Sequence, residues 1–262
     1  MTRQFLFALA VSILCASTTA QAALYFDFEA ASGYTGSGFL GTALNGQNGW
    51  YQIPAFGDGF VATSGSGGLT SPLAGAQSVI VDPVAGGAGV SIATHSSAGA
   101  NFQDGTVFGG LVKTNGADVT VLAVVVNANN DGFASVRFNS DGSIRALSSD
   151  GSNNVTVPVI GGFTNGDLFD VQMTLNFTGQ TYTGVVNNLT TPASSFSFGP
   201  VLFRQTAGTI TTAQAEAGNF QIGTVGNGGA VFDNLFVPEP SSMLLLLFGG
   251  IGLLSASRRN RK

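Results

Sequence analysis

FDVQMTLNF, residues 169–177, alternates without a break. Phe169, Val171, Met173, Leu175 and Phe177 fall on one side, and Asp170, Gln172, Thr174 and Asn176 on the other. A period of two belongs to an extended chain whose successive side chains point to opposite faces, so these nine residues read as a half-buried strand. Thr178-Gly179-Gln180 supplies a turn, and TYTGVVN (181–187) returns as the hairpin partner. A second hairpin lies upstream, GFASVRF–NSDGS–IRALS, with Asp141-Gly142 as its turn. VTVLAVVV (119–126) is apolar on both faces, which predicts a central strand covered on both sides. Shorter strands are expected at 24–29, 107–112, 196–203 and 231–236. The one helix-like stretch between them is TTAQAEA, 211–217. Many short strands with Gly-rich connections predict an all-β, two-sheet antiparallel sandwich or jelly roll. A β-helix is the competing architecture, and the chain has no fixed repeat period to support it.

The two ends of the 262-residue chain follow a different pattern. Residues 1–22 carry Arg3, an apolar run from Phe5 to Ala16 and a small-residue Ala20-Gln21-Ala22 site. This is the layout of a secretory signal peptide, cut by signal peptidase after Ala22. Cys15, the single cysteine, leaves with that peptide, so neither a disulfide nor a thiol nucleophile serves the mature chain. The domain that remains, 23–237, is of a size for one all-β unit. The far end reads VPEPSSMLLLLFGGIGLLSASRRNRK. Residues 241–257 carry no charge. Seventeen helical residues span roughly 26 Å, slightly less than a ~30 Å hydrocarbon core. Gly249, Gly250 and Gly252 weaken that helix further. Arg258, Arg259, Arg261 and Lys262 would stay cytoplasmic and leave residues 23–240 outside.

Of the nine basic residues, the region 23–237 keeps only Lys113, Arg137, Arg145 and Arg204. All fourteen acidic residues except Glu239 also fall there, so its net charge is −9. That balance argues against nucleic acid or anionic lipid as partners, because both need clustered cations. The charge is low for a globular protein, but the Phe content supplies enough apolar volume for a core.

Val237-Pro238-Glu239-Pro240-Ser241, an apolar helix and an Arg-rich terminus, in that order, resemble the PEP-CTERM sorting signal of Gram-negative bacteria, here residues 238–262. The sorting motif is Pro238, Glu239 and Pro240, and Arg258, Arg259, Arg261 and Lys262 form the basic cytoplasmic end. The resemblance implies recognition by an exosortase, a membrane cysteine transpeptidase. It further implies transient residence in the inner membrane, processing near the motif, and a cell-surface or extracellular destination tied to exopolysaccharide and biofilm matrix. A plain C-terminal anchor is the alternative. Separately, LYFDFE (24–29), LNGQNGW (44–50) and VFDNL (231–235) resemble concanavalin A-like, laminin-G-like jelly rolls of bacterial surface proteins. That resemblance implies a fold with its first and last strands side by side, and implies no activity.

Candidate sites follow. Asp27 and Glu29 are expected on one strand face. If the terminal strands are adjacent, Asp27, Glu29 and Asp233 would meet and could hold a structural Ca²⁺ with backbone carbonyls, since oxygen ligands suit that ion. The alternative is that these carboxylates accept backbone amides or water at a sheet edge. Trp50 and Tyr51 could stack on sugar rings of a polysaccharide, or Trp50 could pack in the core, where its area is worth more. His95, the sole histidine, reads as a surface turn residue; it lacks G-x-S-x-G company and cannot alone build a multi-histidine zinc site. Glycosidases need two carboxylates flanking the scissile bond. The E-x-D-x-x-E run of laminarinase-type relatives of this fold is absent. The expectation is therefore a non-enzymatic surface or matrix protein, with a divergent glycoside hydrolase of the concanavalin-like fold as the alternative.

Overall fold

A computed structural model describes residues 23–238 apart from 40, 54–55, 66–68, 70–71, 83–88, 99, 101, 127–130, 150–154 and 205–207. The expected signal peptide 1–22, Glu239, Pro240, the expected span 241–257, and Arg258, Arg259, Arg261 and Lys262 lie outside the described residues. In chain order the strands are β1 (Ala23–Phe26), β2 (Thr42–Ala43), β3 (Trp50–Gln52), β4 (Gly59–Ala62), β5 (Ser78–Val81) and β6 (Val90–Ser96). There follow β7 (Val107–Asn115), β8 (Val119–Val126), β9 (Asp131–Asn139), β10 (Ser143–Ala146), β11 (Ser148–Ser149) and β12 (Val155–Thr156). The last six are β13 (Val159–Gly162), β14 (Leu168–Asn176), β15 (Thr181–Asn188), β16 (Phe196–Leu202), β17 (Asn219–Val225) and β18 (Gly229–Pro238). One short helix, α1 (Thr212–Glu216), precedes β17.

Sixteen of these strands form two antiparallel sheets, and β11 pairs β12 in a small separate one. Nine belong to one, in the order β16-β15-β14-β7-β18-β5-β4-β2 with β1 also on β18. Seven form the other, in the order β13-β10-β9-β8-β17-β6-β3. The alternation in 169–177 is realised in β14, where Phe169, Val171, Met173 and Leu175 are buried and the residues between them are not. Contacts that cross the gap fix the sandwich. Phe108 of β7 meets Phe220 of β17 edge-on at 6.2 Å, and Phe169 of β14 lies 5.0 Å from Phe138 of β9. The Thr120 hydroxyl of β8 donates to that of Thr114 of β7 at 3.0 Å, and the buried Tyr182 hydroxyl of β15 reaches the carbonyl oxygens of Ser135 and Leu147. A polar group between two sheets is costly unless partnered, and these hydroxyls are partnered.

The first and last strands are neighbours: Leu24 pairs Val237, Tyr25 pairs Phe236 and Phe26 pairs Leu235. β18 changes partners along its length. Its first half lies against β5 and its second half against β1, while β7 flanks the other side. The switch falls at an irregularity between Asp233 and Phe236, where Asn234 takes a left-handed backbone (φ 47°). The expected strand 24–29 stops early, because Phe28 also turns left-handed (φ 55°) to bury its ring.

Candidate functional site

The backbone break after β1 decides the fate of the expected calcium ligands. Asp27 and Glu29 do not share a strand face. Asp27 folds back on its own turn, one carboxylate oxygen accepting from the Glu29 amide at 3.1 Å and the other from the Ser32 hydroxyl at 2.9 Å. Glu29 Oε1 accepts from the amides of Ala76 and Gln77. Asp233 is fully buried at the bulge. Its Oδ2 takes the Ala74 amide (2.9 Å) and the Ser78 hydroxyl (2.6 Å), and its Oδ1 takes the Asn234 amide. The three acids do gather at the β1–β18 junction: Asp233 feels the charge of Glu29, and the Tyr25 phenol is pushed up by burial and then by Asp233 and Asp27. Nevertheless, both oxygens of Asp27 and of Asp233 and Oε1 of Glu29 face N–H and O–H hydrogens, on the side where a shared cation would need bare oxygen. This donor set does not fit a Ca²⁺ site, and no group of three His, Cys, Asp or Glu among the described residues could hold a metal. Glu29 and Asp233 pin the 74–78 segment across the point where β18 changes partners, while Asp27 closes its own turn. Burial pushes the Asp233 carboxyl up to about 6, against the hydrogen bonds from Ser78, Ala74 and Asn234.

Trp50 is 1 % exposed. Phe26 lies edge-on to its indole at 5.3 Å, with Phe28, His95 and Phe220 around it, and its Nε1 donates to the Tyr34 hydroxyl at 3.2 Å. An indole packed this way offers no face to a sugar ring, so Trp50 is a core residue. His95 is likewise no surface turn. It sits in β6 with Nδ1 and Nε2 at the carbonyl oxygens of Ser96 and Asn48, and burial lowers its pKa.

Tyr51, one residue on, points the other way. It is 38 % exposed and its hydroxyl donates to Asn219 Oδ1. Register then places a whole face. Across the seven-stranded sheet, Tyr51 pairs Thr94, Thr94 pairs Gln221, Gln221 pairs Ala123, and Ala123 pairs Ser135. Two residues along, Ile92, Gly223, Val121, Arg137 and Arg145 form the adjoining row. Directly opposed residues share a face, so both rows lie on the side of the sheet turned away from the core. There Gln221, Ala123 and Ser135 of the first row and Ile92, Gly223, Val121 and Arg137 of the second floor a cleft of about 330 Å³, walled by Ile53, Phe56 and Leu147 and reached by Arg204 from beyond the end of β16. Gly223 lies mid-floor, where a Cβ would press within 3.0 Å of the Ser91 carbonyl oxygen and Ile92 Cγ1.

The electrostatics of this cleft are unlike those of the rest of the domain. Arg137 and Arg204 both line it, and no carboxylate does among the described residues. Arg137 Nε and Ser135 Oγ are buried without a hydrogen-bond partner, and so is Thr94 Oγ1, further along the row of Ser135. Burial lowers the Arg137 pKa, the neighbouring Arg204 lowers it further, and the Tyr182 phenol acts in the opposite direction. Arg145, across from Arg137, is settled differently: its guanidinium bonds Asp141 at 2.7 Å. None of this was legible as a motif, because Arg137 and Arg204 are sixty-odd residues apart. The available signal was compositional, since they are two of only four cations in 23–237.

Beyond Pro238 the chain runs into the tail. Residues 236–262 match the PEP-CTERM protein-sorting motif. The chain carries that sorting signal. The motif implies processing by an exosortase, export and sorting to the cell surface. Among the described residues no helix is long and apolar enough to cross a membrane. No curated protein matches the chain. Similar solved structures include a sialidase (10 % identity, TM-score 0.43, covering 74 % of this chain and 17 % of that one). The chain thus spans about one sixth of that sialidase. Others are the carbohydrate-binding module CBM66 from Bacillus subtilis (9 %, 0.41, 71 % and 93 %) and the Bacillus licheniformis β-glucanase (7 %, 0.42, 85 % and 100 %). At these scores the sandwich assignment rests on the sheets themselves.

Proposed function

We propose that the chain is exported, cut by signal peptidase and then by an exosortase, and retained in or at the exopolysaccharide or biofilm matrix as a non-catalytic protein. Its sandwich domain binds polysaccharide in the cleft over the seven-stranded sheet. The observation that carries this reading is the continuity of the sorting motif with the fold. The motif begins at Phe236, inside β18, so the tail is tied to the centre of the nine-stranded sheet. The cleft supports the binding half. It has an apolar floor and unspent polar groups, and the exposed Tyr51 lies in the sheet row that runs into it. A glycosidase would need a pair of carboxylates across such a cleft, and the described lining supplies none.

The test is the intact mass and cell fraction of the native protein beside a variant with Pro238, Glu239 and Pro240 all replaced by Ala. The expected native species begins at Ala23, ends near Pro240 and lies outside the cell, while the variant keeps its C-terminus and stays in the inner membrane. A native protein that retains its full tail in the inner membrane would reduce the motif to a plain anchor and overturn the reading.

A further inference from the structure

We infer that β1 is a releasable clasp over the sorting motif: Ala23–Tyr25 cover the strand that the exosortase must read, and processing proceeds only when they leave β18. The inference rests on the exosortase reading above and adds the step that controls access.

Motif and fold share residues. The matched segment begins at Phe236 and β18 runs on to Pro238, so Phe236, Val237 and Pro238 belong to both. Each has a partner in β1, namely Tyr25, Leu24 and Ala23. On the other flank, the pairing with β7 has its last partner at Phe236, opposite Gly109. β1 is therefore the strand that holds Val237 and Pro238. Only Glu239 and Pro240 separate the last paired residue from the uncharged run that starts at Ser241. Three residue steps reach roughly 10 Å at full extension, so the paired edge stands within that distance of the expected span. An enzyme captures an extended peptide by main-chain hydrogen bonds along a free strand edge. Phe236–Pro238 are already extended as such capture requires, but their edge is occupied by β1.

The clasp opens from its end. β1 has four residues, and among the described residues it pairs no strand except β18. Pro238 has no amide hydrogen, so the outermost pair, with Ala23, lacks one possible bond. Tyr25 is 54 % exposed, and little apolar burial holds it down. Phe26, the next residue, is buried against His95 and Trp50, with ring centroids at 4.6 Å and 5.3 Å. Once signal peptidase has made Ala23 a chain end, residues 23–25 can fray while Phe26 stays anchored. That confines the opening to the three pairs that cover the motif, at a cost far below unfolding of the domain.

A covalent link across the pair tests the clasp in the full chain. The Cβ atoms of directly opposed strand residues lie about 4.5–5.5 Å apart, close enough for a disulfide after a small adjustment. Leu24→Cys with Val237→Cys joins one such pair, and the only natural cysteine, Cys15, lies in the expected signal peptide. Tail removal is followed by pulse-chase and intact mass in the exporting cell, with the link verified by thiol labelling. The linked chain should lose its tail at least about tenfold more slowly than the same variant kept reduced with dithiothreitol. Any effect of the new side chains on recognition cancels in that comparison, and the native chain treated alike corrects for the reductant. Leu24→Gly with Tyr25→Gly should act in the opposite direction, raising the open population and speeding tail removal about fivefold. A general folding defect cannot slow one variant and speed the other. Equal rates for the linked and reduced forms, or a glycine variant no faster than the native chain, would overturn the clasp while leaving exosortase processing in place. A native chain that never loses its tail would overturn the clasp and the sorting reading together.

Discussion

Asp233 holds its proton to about pH 6 in the folded chain, against an ordinary value of 3.8. Between those values the folded state binds more protons than the unfolded one, so its contribution falls as pH rises from about 4 to about 6 and stays low above that. The full swing is at most about 3 kcal/mol, from roughly two pH units at 1.4 kcal/mol each. Asp233→Asn, which keeps an oxygen for Ala74 and Ser78, should therefore gain on the native protein as pH rises from 4 to 7. Melting temperatures of the two proteins across that range check this, and a constant difference would exclude the carboxyl as the source. The same geometry predicts that EDTA leaves the melting temperature unchanged, since amide and hydroxyl hydrogens already occupy both oxygens of Asp27 and of Asp233 and Oε1 of Glu29. Trp50→Ala should cost about 3–5 kcal/mol, as expected for truncating a fully buried aromatic, measured by urea unfolding followed by circular dichroism. A loss below about 1 kcal/mol would mean the ring is not the packing centre that its four aromatic neighbours make it.

At the scale of elements, sequence and structure agree closely for several segments. VTVLAVVV and β8 coincide, FDVQMTLNF differs from β14 by one residue at each end, and TTAQAEA contains α1. That helix has only five residues, too few to hold themselves, and its Thr211 makes a reciprocal cap with Gln214. Thr211→Ala should cost about 0.5–2 kcal/mol and loosen amide protection in α1 before it affects β8. Hydrogen exchange separates those two elements. Among the strands that alternation failed to reveal is β17, NFQIGTV, although it lies fifth of seven in its sheet. Its core face is regular, with Phe220, Ile222 and Thr224 buried. Its other face carries Asn219, Gln221 and Gly223, which belong to the cleft and its margin and not to a solvated surface. Pattern reading failed there because the outer face answers to the cleft. β5, SVIV, was obscure for the opposite reason, being buried on both faces.

For the whole molecule, the pairing of β1 with β18 brings the two expected processing points together, Ala23 lying opposite Pro238. The adjacency of the ends was readable from the resemblance of 24–29 and 231–235 to jelly-roll termini. The bulge that reassigns β18 from β5 to β1 was not, since it depends on a left-handed Asn234 and on acceptors supplied by distant carboxylates. Removing Ala23–Phe26 would strip one flank from the second half of β18 and expose a row of unpaired amides and carbonyls. Such a truncation should associate with rising concentration in light scattering, whereas the intact domain should not. A truncation that stays monomeric would show that another segment covers that edge.

The burial of Trp50 has a spectroscopic consequence. It is the single tryptophan of 262 residues, and it is packed against Phe26 of the first strand and Phe28 just after it. Intrinsic emission of the protein therefore comes from one indole whose surroundings are assembled only when the N-terminal strand is docked. The wavelength of that emission is a built-in, label-free signal for closure of the chain ends, and it can be followed in the intact protein while the tail is being processed.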